Sequence, residues 1–111
     1  MHELSLCHQM ARIVSRAAAG RAVAVVHVEA GQLRQVVPES LVNAWGFVVA
    51  GTELEGSELR VTPVPARLHC DLCGGERFMD GELGFDCREC GGPRSRVISG
   101  EEFRVTAIDL D

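Results

Sequence analysis

Two C-x-x-C pairs constrain this chain more than any other feature: Cys70 with Cys73, and Cys87 with Cys90, thirteen residues apart. Such a pair puts two thiolates at the tip of a tight turn, and two such turns supply the corners of a tetrahedron. Gly74-Gly75 and Gly91-Gly92 follow the pairs and relieve crowding where backbone amides fold back towards sulfur. This is the pattern of a closed structural zinc site, with no position left for water or substrate. Two disulfides, or two independent redox pairs, are the alternatives. The start MHELSLCHQM has no basic leader and no signal-type cleavage site, so the expected compartment is the reducing cytoplasm, where disulfides are rare. Zinc is therefore the expected metal, in a structural role.

The flanking sequence reads as a separate folding unit. Leu4 to Ala19 is an amphipathic helix, with Leu4, Cys7, Ala11, Val14 and Ala18 on one face and Arg12 and Arg16 on the other. Ala22 to Ala30 is a valine-rich strand, and Gln32 to Val37 extends the run past Gly31. Pro38 opens a second helix, with Glu39 near its positive end, and Gly51 closes it. Its apolar face is Leu41, Val42, Ala44, Trp45, Val48 and Val49. Glu58 to Val64 is a second strand, carrying Leu59, Val61 and Pro63 on one side. After Pro63 and Pro65 the composition turns abruptly to Gly, Cys and charge.

The segment from about residue 67 to 98 is too short and too poor in apolar residues to fold unaided. A structural zinc supplies on the order of 10 kcal/mol or more. Glu102 to Leu110 then alternates as a third strand, with Phe103, Val105 and Ala107 opposite Arg104 and Thr106. A terminal strand needs a partner, and the sheet of residues 22–64 is the available one. The expected fold is α/β of the α+β kind: a two-helix, three-stranded mixed-sheet unit with an inserted four-cysteine, zinc-ribbon-like domain. The expected division is 1–66, completed by a strand within 100–111, and 67–99.

Charge and motif content narrow the function. Eleven Arg face sixteen Asp plus Glu, for a formal net charge of −5, and four thiolates with one Zn2+ lower it by two more. The span 67–97 holds five arginines against six carboxylates, with Phe78 and Phe85 its only aromatic residues. A zinc ribbon that grips nucleic acid needs a clear positive surplus, so no nucleic-acid partner is expected. No apolar run approaches the roughly 20 residues of a membrane helix, so no membrane is expected either. There is no lysine, which excludes Schiff-base and phosphate-loop lysine chemistry, and no common catalytic motif occurs. A rubredoxin-like iron carrier shares the cysteine pattern and would declare itself by its red colour.

A second metal constellation lies at the very start, Met1-His2-Glu3. A free α-amine, the peptide nitrogen of His2 and its imidazole can close adjacent chelate rings on one ion. Nitrogen donors in a near-plane suit Ni(II) or Cu(II) better than zinc.

Taken together, MHELSLC, the two-helix unit, the paired C-x-x-C turns and the returning strand resemble the HypA/HybF family. The stretches GQLRQVVPESL and VAGTELEGSELRV look like the middle of that family too, so the resemblance covers essentially the whole chain. It implies a nickel metallochaperone of [NiFe]-hydrogenase maturation, and in some bacteria of urease maturation, and not an enzyme. By position it implies nickel, as transported cargo, on Met1, His2 and Glu3, and zinc on Cys70, Cys73, Cys87 and Cys90. The implied partners are the GTPase HypB and the hydrogenase large subunit, with urease maturation proteins as the other client.

The other metal-capable side chains have plainer readings. Cys7 falls on the apolar helix face as a small core residue. His8 lies one step off that face, within reach of the N-terminal site. His27 sits in the valine-rich strand as a surface or satisfied polar residue. His69 adjoins Cys70 and either faces solvent or tunes the zinc site. Trp45 reads as core, and Glu101-Glu102 as a solvated strand start.

Overall fold

The computed structural model describes residues 2–79 and 95–111, His2 by its backbone alone. The first helix, α1, spans His2–Ala18 and buries Leu6, Cys7, Met10, Val14 and Ala18, three or four residues apart along most of its length. Leu4, expected on this face, is instead 39% exposed, and Ala11 is only half-buried. Apolar positions flank the Cys7–Val14 line on both sides, and periodicity alone does not choose between them. Packing against the second helix and the sheet chooses Leu6 and Met10. Ala19 (φ 50°) and Gly20 (φ 86°) turn left-handed and end the helix.

Strand β1 (Val23–Gly31) is followed by a 3-10 turn (Gln32–Arg34), helix α2 (Pro38–Val49) and strand β2 (Glu58–Val64). Pro38 opens α2 in its first turn, as the sequence predicts. The extension expected over 32–37 is a correction. The Leu33 N–H donates to Gly100 O at 2.8 Å, and Gln35 takes up a left-handed φ of 55°, so the chain turns instead of continuing as strand. Val42 and Pro63, placed on apolar faces by pattern, are exposed.

β1 pairs parallel with β2, with α2 as the crossover, and antiparallel with the last strand, β6 (Phe103–Leu110). The order is β2-β1-β6, a mixed sheet centred on the valine-rich strand. Two register shifts reconcile sequence with burial. One, between Val23 and Val25, lets Val23 and Val26 both face the core; the other lies between His27 and Val28. Opposite the second shift Thr106 is the extra residue, so the inward set changes from Phe103 and Val105 to Ile108 and Leu110. Ala107, expected inward, is exposed for that reason.

Both helices cover one face of this sheet, and Trp45, Leu41, Val14, Val26 and Val28 fill the core between. The Trp45 indole N–H donates to Ser57 Oγ at 3.0 Å, and that hydroxyl donates onward to Leu54 O at 2.7 Å. The opposite face is polar and carries ion pairs: His27–Asp109 at 2.9 Å, Arg104–Glu29 at 2.7 Å, and Arg60–Glu58.

Between β2 and β6 the chain forms a second, antiparallel sheet, β4-β3-β5, from β3 (Arg67–Cys70), β4 (Glu76–Phe78) and β5 (Ser95–Ser99). Among the described residues its buried cluster is Ala66, Leu68 and Met79, with Leu33 and Val97 against it. The two sheets meet where β1 ends. Gly31 N–H donates to Glu102 O at 2.6 Å. Gln32 accepts from Ala66 N–H at 2.8 Å through Oε1 and donates to Met79 O at 3.3 Å through Nε2. Residues 31–33 thus bind the segments by which the chain enters and leaves the second sheet. Glu102 is more than a solvated strand start, because its carboxylate accepts the Gly100 N–H at 2.6 Å.

Candidate metal centres

The first cysteine pair sits on a turn built for it. Cys70 ends β3 and is buried, whereas Cys73 is exposed. The Cys70 N–H donates to Gly75 O at 2.8 Å, and the Gly74 N–H donates back to Cys70 O at 2.9 Å. Gly74 takes φ 75°, a conformation open to glycine and strained for other residues, and this lets the turn fold back onto Cys70. Soft thiolates on a tight hairpin turn, with backbone amides already committed, fit a zinc ion. Cys87 and Cys90 lie outside the described residues.

His69 precedes this turn. Its ring is 3.5 Å from the Glu76 carboxylate and 3.9 Å from Asp71, and Asp71 also accepts from Arg96 at 2.8 Å. Arg67 pairs with Glu76 and lies over the Phe78 ring at 5.7 Å. The face of this sheet opposite Leu68 and Cys70 thus pairs Arg67 with Glu76, while Asp71 at the turn pairs with Arg96.

At the other candidate centre, α1 begins at His2, so the peptide nitrogens of His2 and Glu3 have no carbonyl one turn earlier to bond. A metal could take the His2 amide nitrogen without costing the helix a hydrogen bond. The positive end of the helix dipole opposes a cation there, and Glu3 in the first turn offsets it. Met1 lies outside the described residues.

Cys7, one turn beyond Glu3, is no part of an accessible site. It is fully buried, and its thiol donates to Leu41 O at 3.6 Å. Burial, and then the nearby Glu3 carboxylate, push its pKa up to about 11, so it stays a neutral thiol. The contact also fixes direction: the second turn of α1 lies against the first turn of α2. The start of α1 therefore lies at the pole where β1 and β2 end, β6 begins and the two sheets join. His8 is exposed on α1, His27 is paired with Asp109 on the open sheet face, and His69 lies in the second sheet. Gln32 escaped the sequence reading, since nothing in its local sequence marks a side chain that bridges two sheets.

Among the described residues no helix is long and apolar enough to cross a membrane. Comparison with known proteins gives a consistent answer. The chain is 34% identical to a hydrogenase maturation factor HypA of Roseiflexus sp., aligned over 100% of this chain and 93% of that one. It is 38% identical to the HypA of Geobacter metallireducens over the whole of both chains. The fold is like that in the solution structure of the Ni metallochaperone HypA from Helicobacter pylori, with a TM-score of 0.65 at 17% identity over 97% of this chain and 96% of that one. Residues 1–110 match the family described as hydrogenase/urease nickel incorporation, metallochaperone, hypA, and the chain belongs to that family.

Proposed function

We propose that this chain is a nickel carrier that binds Ni(II) through Met1, His2 and Glu3 and surrenders it during assembly of a [NiFe]-hydrogenase, or of urease. Its work is delivery, not catalysis. The reading rests chiefly on the helix that begins at His2, which leaves its first amides without carbonyl partners inside the helix. A carrier needs a site tight enough to collect the ion and exposed enough to release it. A chain terminus made of an amine, an amide nitrogen and one imidazole meets that demand, and a closed four-sulfur cage does not.

In the same reading Cys70, Cys73, Cys87 and Cys90 hold one zinc ion. This makes residues 67–99 a metal-dependent unit inserted into the nickel-binding unit of 1–66 and 100–111. Zinc, when bound, would crosslink the two C-x-x-C segments, and the Cys70–Gly75 and Gly74–Cys70 backbone hydrogen bonds shape the first of them. The GTPase HypB and the hydrogenase large subunit are the proposed partners, and the cytoplasm the proposed compartment.

A nickel titration of three proteins tests the carrier site: the native chain, His2→Ala, and a chain extended by one N-terminal glycine. The native protein should bind one Ni(II). Both altered proteins should lose useful affinity while keeping their helical signal, the extended one because its amine has left the first chelate ring. Undiminished binding by the extended chain would show that the amine is not a ligand. Affinity should also fall as pH drops, since protons compete for an amine of ordinary pKa about 7.7–8.0 and an imidazole near 6.5.

A further inference from the structure

We propose that the outer face of α1 is a docking surface for an acidic amphipathic segment of a partner protein, read by Arg12, Arg16 and Ile13. The observation behind it is an uneven distribution of charge. The chain carries −5 overall, yet residues 2–21 hold three arginines, Arg12, Arg16 and Arg21, against the single carboxylate of Glu3. Elsewhere four of the described arginines are neutralised where they stand, Arg60 by Glu58, Arg67 by Glu76, Arg96 by Asp71 and Arg104 by Glu29, while Arg34 lies over the Phe103 ring at 5.6 Å. Among the described residues Arg12, Arg16 and Arg21 have no carboxylate within 4 Å.

Geometry turns this imbalance into a surface. Arg12 and Arg16 are four apart, so they stand one above the other on the helix, about 6 Å apart along its axis. Like charges so placed repel, and no acidic residue of this helix face relieves them. Ile13 is three residues from Arg16 and 56% exposed, an apolar contact beside the two cations. All three are exposed, on the side away from Cys7, Met10 and Val14. A partner helix with carboxylates four apart and an adjacent leucine stripe satisfies the arginines and covers Ile13 together. A polyanion such as nucleic acid is the poorer occupant, because the net charge repels it and α1 carries no Phe, Tyr or Trp for stacking. Binding of the segment requires no nickel, so failure of this proposal and failure of the carrier reading are separate results.

The test uses the zinc-loaded full chain and a dye-labelled amphipathic peptide with glutamates four apart beside a leucine stripe, followed by fluorescence anisotropy at low and physiological salt. Native protein should bind it, more weakly as salt rises. The double reversal Arg12→Glu with Arg16→Glu should weaken binding by at least about tenfold. Ile13→Asp should also weaken it, and Arg60→Gln, on the open sheet face, should not. Circular dichroism checks folding, and the milder pair Arg12→Gln with Arg16→Gln serves if the reversal misfolds. Unchanged affinity in both arginine variants would overturn the proposal. So would equal binding of a peptide with glutamine for every glutamate, or of a single-stranded oligonucleotide. Concentration-dependent dimerisation that the reversal abolishes would assign the face to a second copy instead.

Discussion

Cys7 shows how one residue's burial decides its chemistry. With its thiol inside the core and its pKa near 11, the native protein should resist alkylation at pH 8 at Cys7, while the unfolded chain reacts. The linkage has a definite sign. A thiol whose pKa is raised on folding contributes stability below its unfolded value, close to 9, and that contribution is lost as pH climbs towards 11. Denaturant midpoints measured from pH 8 to 11 should therefore fall, and fall less in Cys7→Ala. Trp45 and Ser57 make a comparable pair. Ser57→Ala strands a buried indole N–H and should cost about 1–3 kcal/mol in chemical denaturation. Trp45→Phe should cost a similar amount or more, since it also trims the largest fully buried side chain. Equal stability of Ser57→Ala and wild type would mean that another acceptor serves the indole.

At the level of elements, the junction of the two sheets tolerates the least change. A Cβ on Gly31 would stand 2.0 Å from Gly100 O, and one on Gly100 would stand 2.6 Å from Ala66 Cα. Backbone meets backbone at both positions, so Gly31→Ala must push β1 away from the return into β6. It should destabilise the chain by more than about 2 kcal/mol, read from denaturant midpoints. Gln32→Ala is gentler: it leaves the Ala66 N–H and the Met79 carbonyl without their partner. Faster amide exchange confined to residues 66–79 would show that Gln32 holds the second sheet in place. Removing 103–111 takes away a whole edge of the mixed sheet, with Phe103, Val105, Ile108 and Leu110 from the core rim. The truncated protein should melt well below the full chain, and coincident melting curves would contradict the observed β1–β6 pairing.

For the whole molecule, the two sheets differ in what sustains them. The mixed sheet and its helices share a core of large apolar residues, whereas among the described residues the second sheet has three buried apolar side chains in its own cluster. On the proposed zinc reading, Cys73→Ser, or removal of metal by a strong chelator, should unfold residues 67–98 and leave the mixed sheet largely intact. Circular dichroism and amide exchange on the treated protein report both halves separately. A single cooperative loss of both sheets would mean that the junction at Gln32 binds them into one folding unit.

Much of this was legible in the residues. Strand Glu58–Val64 and the start of α2 at Pro38 follow from local rules, alternation in the first case and a helix-opening proline in the second. The terminal strand also declared itself, and so did Cys7 and Trp45 as core. The cysteine spacing and the M-H-E start were readable as candidate metal sites for a similar reason, since chelation depends on donors close together in sequence. What only the tertiary structure decided are choices between partners distant in the chain. Whether Leu4 or Leu6 is buried depends on where α2 and the sheet lie against α1. Whether Ala107 faces in or out depends on a register shift that β6 acquires only by pairing with β1. Gln32 forms a bridge because Ala66 and Met79, 34 and 47 residues away, come to its two ends. The periodicity of a segment describes its own faces, and it carries no information about which neighbour will cover them.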